Sequence, residues 1–174
     1  ADEMTTVYDG FHKIEEGEMP NGDKRESIVL LDAVSVLLID REDKIALVKQ
    51  YRAPIGKEVL EIPAGVFDKD LSPEETLREE IMEECNLSKE EVDKIELFPM
   101  TEKPIYSMIG SSDTTMHIYI GLYDGIGESS KVVNDDVIEV MWVSYHDLVK
   151  ENYQLVAHDM KSLTALLLTE IKGV

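Results

Sequence analysis

Short hydrophobic runs alternate with polar segments through the first half of the chain, a pattern typical of β-strands. The sequence predicts strands at KRESIVLL, AVSVLLID and KIALVKQYR, which are separated by Asp32 and the polar segment REDK. These runs are rich in β-branched residues and bounded by turn formers, so we expect antiparallel neighbours. Residues 1–30 are expected to add strands before the main domain, which would span residues 31–174.

A helix start is well marked after the loop VFDKD. Ser72 is expected as the N-cap, Pro73 occupies the first helical position, and Glu75 stands three residues after the cap, as a capping box requires. These three positions fix the register of the helix that follows.

The second half of the chain continues the alternation of strands and helices. Strands are predicted at KIELFPM, TTMHIYIGLY and VIEVMWVS, and helices at YHDLVKE and DMKSLTALLLTEI. The last helix is expected to place Leu163, Leu166 and Leu167 on its apolar face. The sequence therefore predicts one α/β (α+β) domain, a mixed β-sheet flanked by helices.

Charge and composition exclude several classes of protein. Among 174 residues, 37 are acidic and 17 basic, and the formal net charge of -20 argues against nucleic acid or an anionic membrane as partner. Cys85 is the only cysteine, which favours a reducing compartment. The N-terminal segment ADEMTTVYDG is too polar for a signal peptide, and Asp32 breaks the longest apolar run. We expect a soluble, cytoplasmic protein.

The segment REEIMEECNL concentrates glutamates on the predicted helix. With the register fixed by Ser72, Glu80, Glu83 and Glu84 form a band beside the core-facing residues, while Glu79 points toward water. Like charges at this spacing destabilise a helix. The band is either a solvated acidic face or a set of oxygen ligands for Mg²⁺, which prefers carboxylates.

The stretch from Gly65 to Leu87 resembles the Nudix box, G-x5-E-x7-R-E-U-x-E-E-x-G-U, in which U is a bulky aliphatic residue. The spacing agrees without a gap, and the matching positions are Gly65, Glu80, Ile81, Glu83, Glu84 and Leu87. The resemblance implies a Nudix fold, with the mixed sheet sandwiched between helices and with extra N-terminal strands.

Three positions depart from the box. Asn86 stands where the second glycine ends the helix, and asparagine tolerates the left-handed backbone expected there. Leu71 and Glu79 replace residues of opposite charge, which we interpret as loss of a supporting ion pair. Arg78, one position away, is expected to substitute in part.

The segment VKQYRAPIGKEVLEIPAG is similar to the one before the box in ADP-ribose pyrophosphatases. The resemblance implies a phosphate contact for Arg52, whose guanidinium fits phosphoryl oxygens; the alternative is a surface arginine at a strand end. It implies for Glu61 either a contact to substrate hydroxyls or support of neighbouring groups. Ala64 would offer its backbone carbonyl to a metal ion.

Two downstream segments extend the resemblance. GSSDTTMHIYIG is similar to a Gly-x-Ser-Asp-Glu loop, with Thr114 in place of the glutamate. NDDVIEVMWV resembles the acidic loop that carries the catalytic base and the last metal ligand, which places Asn134, Asp135 and Asp136 there. Asp136 is the preferred candidate, with Glu128 as an alternative base and a plain polar hairpin as the alternative reading.

The resemblance implies a homodimer, joined through residues 1–30, that hydrolyses a small-molecule nucleoside diphosphate. The expected reaction is Mg²⁺-dependent cleavage of ADP-ribose to AMP and ribose 5-phosphate, with Mn²⁺ as a possible replacement. The alternatives are a nucleoside diphosphate sugar pyrophosphatase of other specificity and a nucleotide-binding module that does not cleave. The expected catalytic residues are Glu80, Glu83, Glu84 and Asp136, and the expected metal ligands are Ala64, Glu80, Glu84 and Asp136.

Overall fold

The computed structural model describes residues 4–67, 70–131, 134 and 136–174. Its helices are α1 (Pro73–Cys85), α2 (Lys89–Asp93), α3 (Tyr145–Lys150) and α4 (Met160–Lys172). Within this part of the chain, no helix is long and apolar enough to cross a membrane.

Each run predicted individually forms a strand, and the described part of the chain contains further strands that were not predicted as such. They are β1 (Thr5–Asp9), β2 (Lys13–Glu18), β3 (Lys24–Val29), β4 (Ala33–Ile39), β5 (Lys44–Arg52), β6 (Lys57–Glu61), β7 (Ala64–Val66), β8 (Glu96–Pro99), β9 (Ile105–Tyr106), β10 (Thr115–Leu122), β11 (Ser130–Lys131) and β12 (Val137–Ser144).

Two sheets share these strands. The first is an antiparallel sheet in the order β1-β2-β3, and it reaches the rest of the molecule through a hydrogen bond from the Ile28 amide to the Ser111 carbonyl, at 2.7 Å. The second has the order β11-β12-β5-β4-β10-β8, with β6 on β5, β7 on β4 and β9 on β10. Strands β4 and β10 run parallel and the other pairs are antiparallel, which confirms the prediction of a mixed sheet.

The large sheet divides at its centre. Strands β4 and β5 pair at Ile39 and Ile45 and then diverge. The chain from β6 to β7 fills the gap, because β6 pairs with β5 while β7 pairs with β4. We call the turn between them, residues 61–64, the sheet corner. At this turn, side chains from helices on both faces of the sheet can reach the backbone.

Helices cover both faces of this sheet. On one face, Leu77 and Ile81 of α1 pack against Val34 and Val36 of β4. On the other, Leu37 of β4 joins the core beneath α4, as expected from the alternation of side chains along a strand. The sheet therefore lies between helices, as predicted.

Both predicted ends of α1 are confirmed. The Ser72 hydroxyl accepts a hydrogen bond from the Glu75 amide at 3.2 Å, and the Glu75 carboxylate accepts one from the Ser72 amide at 2.7 Å. Asn86 has φ 55° and ψ 41°, the left-handed conformation expected for the residue that replaces the glycine of the box.

The predicted apolar face of α4 is wrong by one residue. Leu167 is 55% exposed, and the buried positions are Ser162, Ala165, Leu166 and Thr169. Ser162 is buried because its hydroxyl accepts a hydrogen bond from the Ile62 amide at 2.9 Å. A hydrophobic count along the helix could not register a buried serine that satisfies a backbone group.

Candidate active site

The sheet corner is held by side chains from both helical layers. The Ile62 amide donates to the Ser162 hydroxyl of α4 at 2.9 Å, and the Ala64 amide donates to Oε2 of Glu84 on α1 at 3.1 Å. Pro63 between them has no amide hydrogen to satisfy, and its carbonyl accepts from the Val36 amide at 3.1 Å. Residues of α1 and α4 therefore meet at this corner although they belong to opposite faces.

Glu61 is the centre of an ionic network at the corner. Its carboxylate accepts two hydrogen bonds from Arg52, from Nε at 2.7 Å and from Nη2 at 3.0 Å. Arg52 Nη2 also donates to the Gln50 side chain at 3.0 Å. Burial alone would raise the pKa of Glu61, but the hydrogen bond from Arg52 and the charge of Lys161 hold that pKa below its ordinary value. Glu61 thus stays ionised at neutral pH and orients the arginine.

Lys161 completes this network and is absent from the residues that sequence reasoning singled out. Its Nζ donates to Oε1 of Glu61 and, at 3.0 Å, to Asp159. The side chain is 13% exposed and lies in the first turn of α4. A cation at a helix N-terminus opposes the helix dipole. That unfavourable position was the available signal that carboxylates lie nearby.

Arg52 keeps an accessible guanidinium despite this network. Its side chain is 44% exposed, whereas that of Glu61 is 6% exposed. The two candidate substrate-binding residues, Arg52 and Glu61, therefore contact each other, with the glutamate buried behind the arginine. For Glu61, this arrangement favours the support of neighbouring groups over direct contact with the substrate. The guanidinium of Arg52 remains able to bind an anion.

Glu80 and Glu84 form the acidic side of the corner. Glu84 is buried, and burial followed by the charge of Glu80 raises its pKa to about 8, while the hydrogen bond from Ala64 and the charges of Lys161 and Arg52 oppose the rise. Burial followed by the charges of Glu83, Glu79 and Asp136 raises the pKa of Glu80 to about 7. The charged groups that shift Glu80 are all acidic, so a cation would be stabilised beside it.

Gly65 allows Glu80 to approach the strand. A Cβ atom at this position would overlap Cδ and Oε1 of Glu80. A side chain at the first glycine of the box would therefore force the Glu80 carboxylate to move from its position against β7. Gly65 pairs with Val34 of β4, which fixes its position in the sheet.

The loop before β12 contacts the end of α1 through Asn134. Asn134 donates from Nδ2 to the Glu83 carbonyl at 3.1 Å, and its Oδ1 accepts from the amides of Asp136 at 2.9 Å and Val137 at 2.6 Å. Asp136 is exposed and its charge acts on Glu80. Asp135 lies outside the described residues. The structure thus brings Asp136 to the acidic band and gives Asn134 a structural role.

Two secondary expectations are wrong. Arg78 does not take the place of the missing box arginine, because its Nη1 donates to the Val92 carbonyl of α2 at 2.6 Å. Glu128 does not reach the acidic band. Its charge acts on Tyr123, and the adjacent Gly127 amide donates to Asp40 at 2.8 Å.

The hairpin register explains the placement of Glu128. Ser129 accepts a hydrogen bond from the Trp142 amide, whereas Asp136 precedes the first residue of β12. Six residues of extended strand separate these positions, a distance of roughly 20 Å.

The carboxylates of the acidic band, those of Glu80, Glu83 and Glu84, do not converge on one point. In residues 4–67, 70–131, 134 and 136–174, no three histidine, cysteine, aspartate or glutamate side chains are arranged to hold a metal ion. Glu79 and Glu83 are exposed. The fit to a divalent cation rests on Glu80 and Glu84, because a cation would relieve the effect of the acidic neighbours of Glu80 and the repulsion that Glu80 exerts on Glu84.

A buried carboxylate and a half-buried one beside a glycine-containing strand, at the centre of a mixed sheet between helices, form the arrangement expected for a Nudix protein. A model of the NUDIX domain matches residues 29–167. The chain belongs to this family.

Curated relatives agree with the family. The chain is 32% identical over 162 residues to the ADP-ribose pyrophosphatase of Bacillus subtilis, covering 91% of this chain and 84% of the relative. It is 26% identical to the methanol dehydrogenase activator of Bacillus methanolicus, with 88% and 81% covered. It is 27% identical to the GDP-mannose pyrophosphatase of Cronobacter sakazakii, with 87% and 80% covered. The predictions of a Nudix fold and of a Nudix pyrophosphatase are confirmed.

Proposed function

We propose that the protein hydrolyses ADP-ribose to AMP and ribose 5-phosphate with the help of Mg²⁺. The observation that carries the proposal is that cationic and acidic side chains lie close together at the sheet corner. Arg52 and Lys161 lie on one side of the corner, and Glu80 and Glu84 lie on the other. A diphosphate needs cationic groups for its oxygens and a means of activating water, and this corner offers both.

Different residues of the site serve substrate binding and hydrolysis. Arg52, oriented by Glu61, binds phosphoryl oxygens through its exposed guanidinium. Glu80 and Glu84 hold the divalent ion, with Glu83, Asp136 and the Ala64 carbonyl as further candidate ligands. When bound, the ion neutralises charge that develops on the phosphoryl oxygens.

Proton transfer completes the reaction. Water adds to one phosphorus atom, the bond from that phosphorus to the bridging oxygen breaks, and the bridging oxygen leaves with the other phosphate. Asp136 accepts the proton that the attacking water releases. Its exposure beside Glu80 leaves its carboxylate accessible to solvent water.

Relatives named as GDP-mannose pyrophosphatases support a second candidate, hydrolysis of another sugar nucleotide. A nucleotide-binding module that does not cleave is the third, since Leu71 and Glu79 replace two charged positions of the box. The three candidates differ in which substrate is consumed and in whether any is.

A substrate panel separates them. The protein is incubated with Mg²⁺ and with ADP-ribose, GDP-mannose, other nucleotide sugars, dinucleoside polyphosphates or deoxynucleoside triphosphates, and the products are identified by mass spectrometry. The expected result is the highest kcat/KM for ADP-ribose, with AMP and ribose 5-phosphate in equal amounts. Highest kcat/KM for GDP-mannose would favour the second candidate, and binding without any product would favour the third.

We also propose a homodimer formed through the sheet of β1, β2 and β3. Support comes from the apolar side chains that this sheet and its turn expose. Phe11 is 98% exposed, Tyr8 57% and Met4 49%, and exposed apolar residues in such a group are typical of an interface. Light scattering at micromolar concentration should give about twice the chain mass of 19.7 kDa. A mass near that of one chain would contradict the proposal.

A further inference from the structure

The first turn of α4 is connected to the sheet corner by a series of side-chain contacts. Asp159, the N-cap of α4, accepts a hydrogen bond from the Ser162 amide at 3.2 Å. Its carboxylate also accepts from Nζ of Lys161 at 3.0 Å, and the same Nζ donates to Oε1 of Glu61. Oε1 of Glu61 accepts from Nη2 of Arg52 as well, at 3.0 Å. The contacts therefore lead from a helix cap to the arginine that is proposed to bind phosphate.

The location of Arg52 makes it dependent on a fixed acceptor. Glu61 pairs with Val48 of β5, whereas Arg52 stands at the end of that strand, roughly 13 Å further along it. The arginine side chain therefore extends along the strand to meet the carboxylate. A long side chain loses rotamer freedom in such a contact, and a carboxylate that rotates freely would not hold it in one place. The position of the guanidinium thus depends on what fixes Glu61.

Lys161 is the residue of α4 that fixes this carboxylate. Its side chain is 13% exposed and lies between those of Glu61 and Asp159, which are 6% and 16% exposed. Hydrogen bonds between charged groups are roughly twice as strong as neutral ones, and Asp159 is itself held by the start of the helix. The side chain of Arg52, in contrast, is 44% exposed. Lys161 is therefore placed to act on a ligand through Glu61 and Arg52 rather than by direct contact.

We propose that Lys161 is a positioning residue for substrate binding, which fixes Glu61 so that Glu61 holds the Arg52 guanidinium where it binds the diphosphate. This inference rests on the proposed function for the identity of the ligand. It makes the first turn of α4, which lies far along the chain from the stretch that resembles the Nudix box, a support of the binding site.

Replacement of Lys161 by methionine tests this role. Without the ammonium group, Arg52 should lose its fixed position, and the KM for ADP-ribose should rise about tenfold, which corresponds to roughly 1.4 kcal/mol. The kcat should change little, because a contact made equally in the substrate complex and in the transition state affects binding alone. A purely structural role would instead reduce the amount of folded enzyme, which lowers kcat at constant KM. Lys161→Arg keeps a charged donor and should restore most of the affinity.

Lys49→Met is the matched control. Lys49 lies on β5, the strand that carries Arg52, and its Nζ is 3.4 Å from Glu139. This change removes the same charge from the protein, so an effect of net charge alone would raise the KM of both methionine variants. The KM of Lys49→Met should equal that of the wild type, and equal rises in the two variants would overturn the proposal.

Combination with Glu61→Gln tests the route of the effect. Glu61→Gln should itself raise the KM, and if Lys161 acts only through Glu61, adding Lys161→Met should raise it no further. A further rise would show that the lysine binds the diphosphate directly, which would overturn a positioning role.

The variant Lys161→Met should fold, because each carboxylate keeps another donor. Glu61 retains Arg52, and Asp159 retains the Ser162 amide. Melting temperatures check every variant. If Lys161→Met melts below the assay temperature, Lys161→Gln, which keeps a neutral donor, takes its place with the same expected rise in KM.

Binding of inorganic pyrophosphate separates this inference from the proposed function. Pyrophosphate has phosphoryl oxygens but neither base nor sugar, so its affinity does not depend on which nucleotide is hydrolysed. Titration calorimetry in the presence of Mg²⁺ should show an affinity weakened about tenfold in Lys161→Met and unchanged in Lys49→Met. Unchanged affinity in Lys161→Met, or no binding by the wild type, would overturn the positioning role. Absence of hydrolysis by a wild type that shows the expected pyrophosphate affinities would overturn the proposed function alone.

Discussion

Replacement of Glu80 or Glu84 by glutamine is expected to lower turnover of the substrate by at least about a hundredfold, equivalent to roughly 2.7 kcal/mol of activation barrier. Glutamine keeps the size and polarity of the side chain but removes a charged oxygen ligand. Both carboxylates lie in a region where burial and acidic neighbours already disfavour the ionised form. A divalent cation relieves that cost, so loss of either charge should weaken its binding.

Glu79→Gln is the matched control, because Glu79 lies on the same helix and is exposed. It should retain most of the activity. Steady-state hydrolysis at saturating Mg²⁺ compares the three variants. Equal and small losses at all three positions would mean that the band is only an acidic surface.

Without a metal ion, the stability of the protein should change with pH because ionising Glu80 and Glu84 is unfavourable in the folded state. The pKa values of Glu80 and Glu84 are raised from 4.5 to about 7 and about 8. Between pH 4.5 and 8, the folded state therefore binds more protons than the unfolded state, and the free energy of unfolding falls as pH rises. Thermal melting without metal should show this decline in the wild type and a shallower one in Glu84→Gln. Mg²⁺ at about pH 8 should raise the melting temperature of the wild type more than that of either variant.

Replacement of Glu61 by glutamine is expected to cause a larger loss of stability than any of the changes to the glutamates of α1. Glu61 is 5% exposed and neutralises Lys161, whose side chain is 13% exposed. Removing this carboxylate leaves Lys161 with Asp159 as its remaining acidic partner and Arg52 without its carboxylate, and loss of one member of a buried ionic network costs about 3 kcal/mol or more. For a chain of this length, that loss lowers the melting temperature by roughly 6 to 12 °C.

Two further variants make this result specific. Glu58→Gln changes an exposed glutamate of the same strand and should shift the melting temperature by less than about 2 °C, since exposed charges contribute little. Lys161→Met added to Glu61→Gln removes the buried ammonium group that has lost its contact with Glu61, so the double variant should melt above Glu61→Gln alone. If Glu61→Gln has the same melting temperature as the wild type, the network at the sheet corner does not stabilise the fold.

Local signals in the sequence were sufficient for the elements that depend on nearby residues. The start of α1 at Ser72 and its end at Asn86 follow from capping and from left-handed backbone, both of which involve residues within one turn. The strands followed from β-branched runs for the same reason. The exposure of Glu79 and the placement of Glu80 and Glu84 beside the core followed from the fixed register, whereas Glu83, predicted in the same band, is exposed.

Features that depend on distant contacts were missed. Lys161 was not recognised because its partner Glu61 is 100 residues away, and its position in the first turn of α4 indicates a nearby carboxylate without identifying which one. Glu128 was misplaced because the register of its hairpin decides which end of β12 it faces. The face of α4 was misjudged because burial of Ser162 depends on the Ile62 amide rather than on hydrophobicity.

The two hydrogen bonds that hold the sheet corner also bear on the order in which the molecule assembles. The bond from Ala64 to Glu84 closes a loop of 20 residues, and the bond from Ile62 to Ser162 closes one of 100. By chain entropy, the longer closure is less favourable by roughly 1.4 kcal/mol. The carboxylate side of the corner should thus become structured early in folding, while the arrival of α4 comes late and brings Lys161 to Glu61. A partly folded chain would hold the acidic residues in place without one of the cations that balance them, so competence to bind a diphosphate should be acquired only in the final folding step.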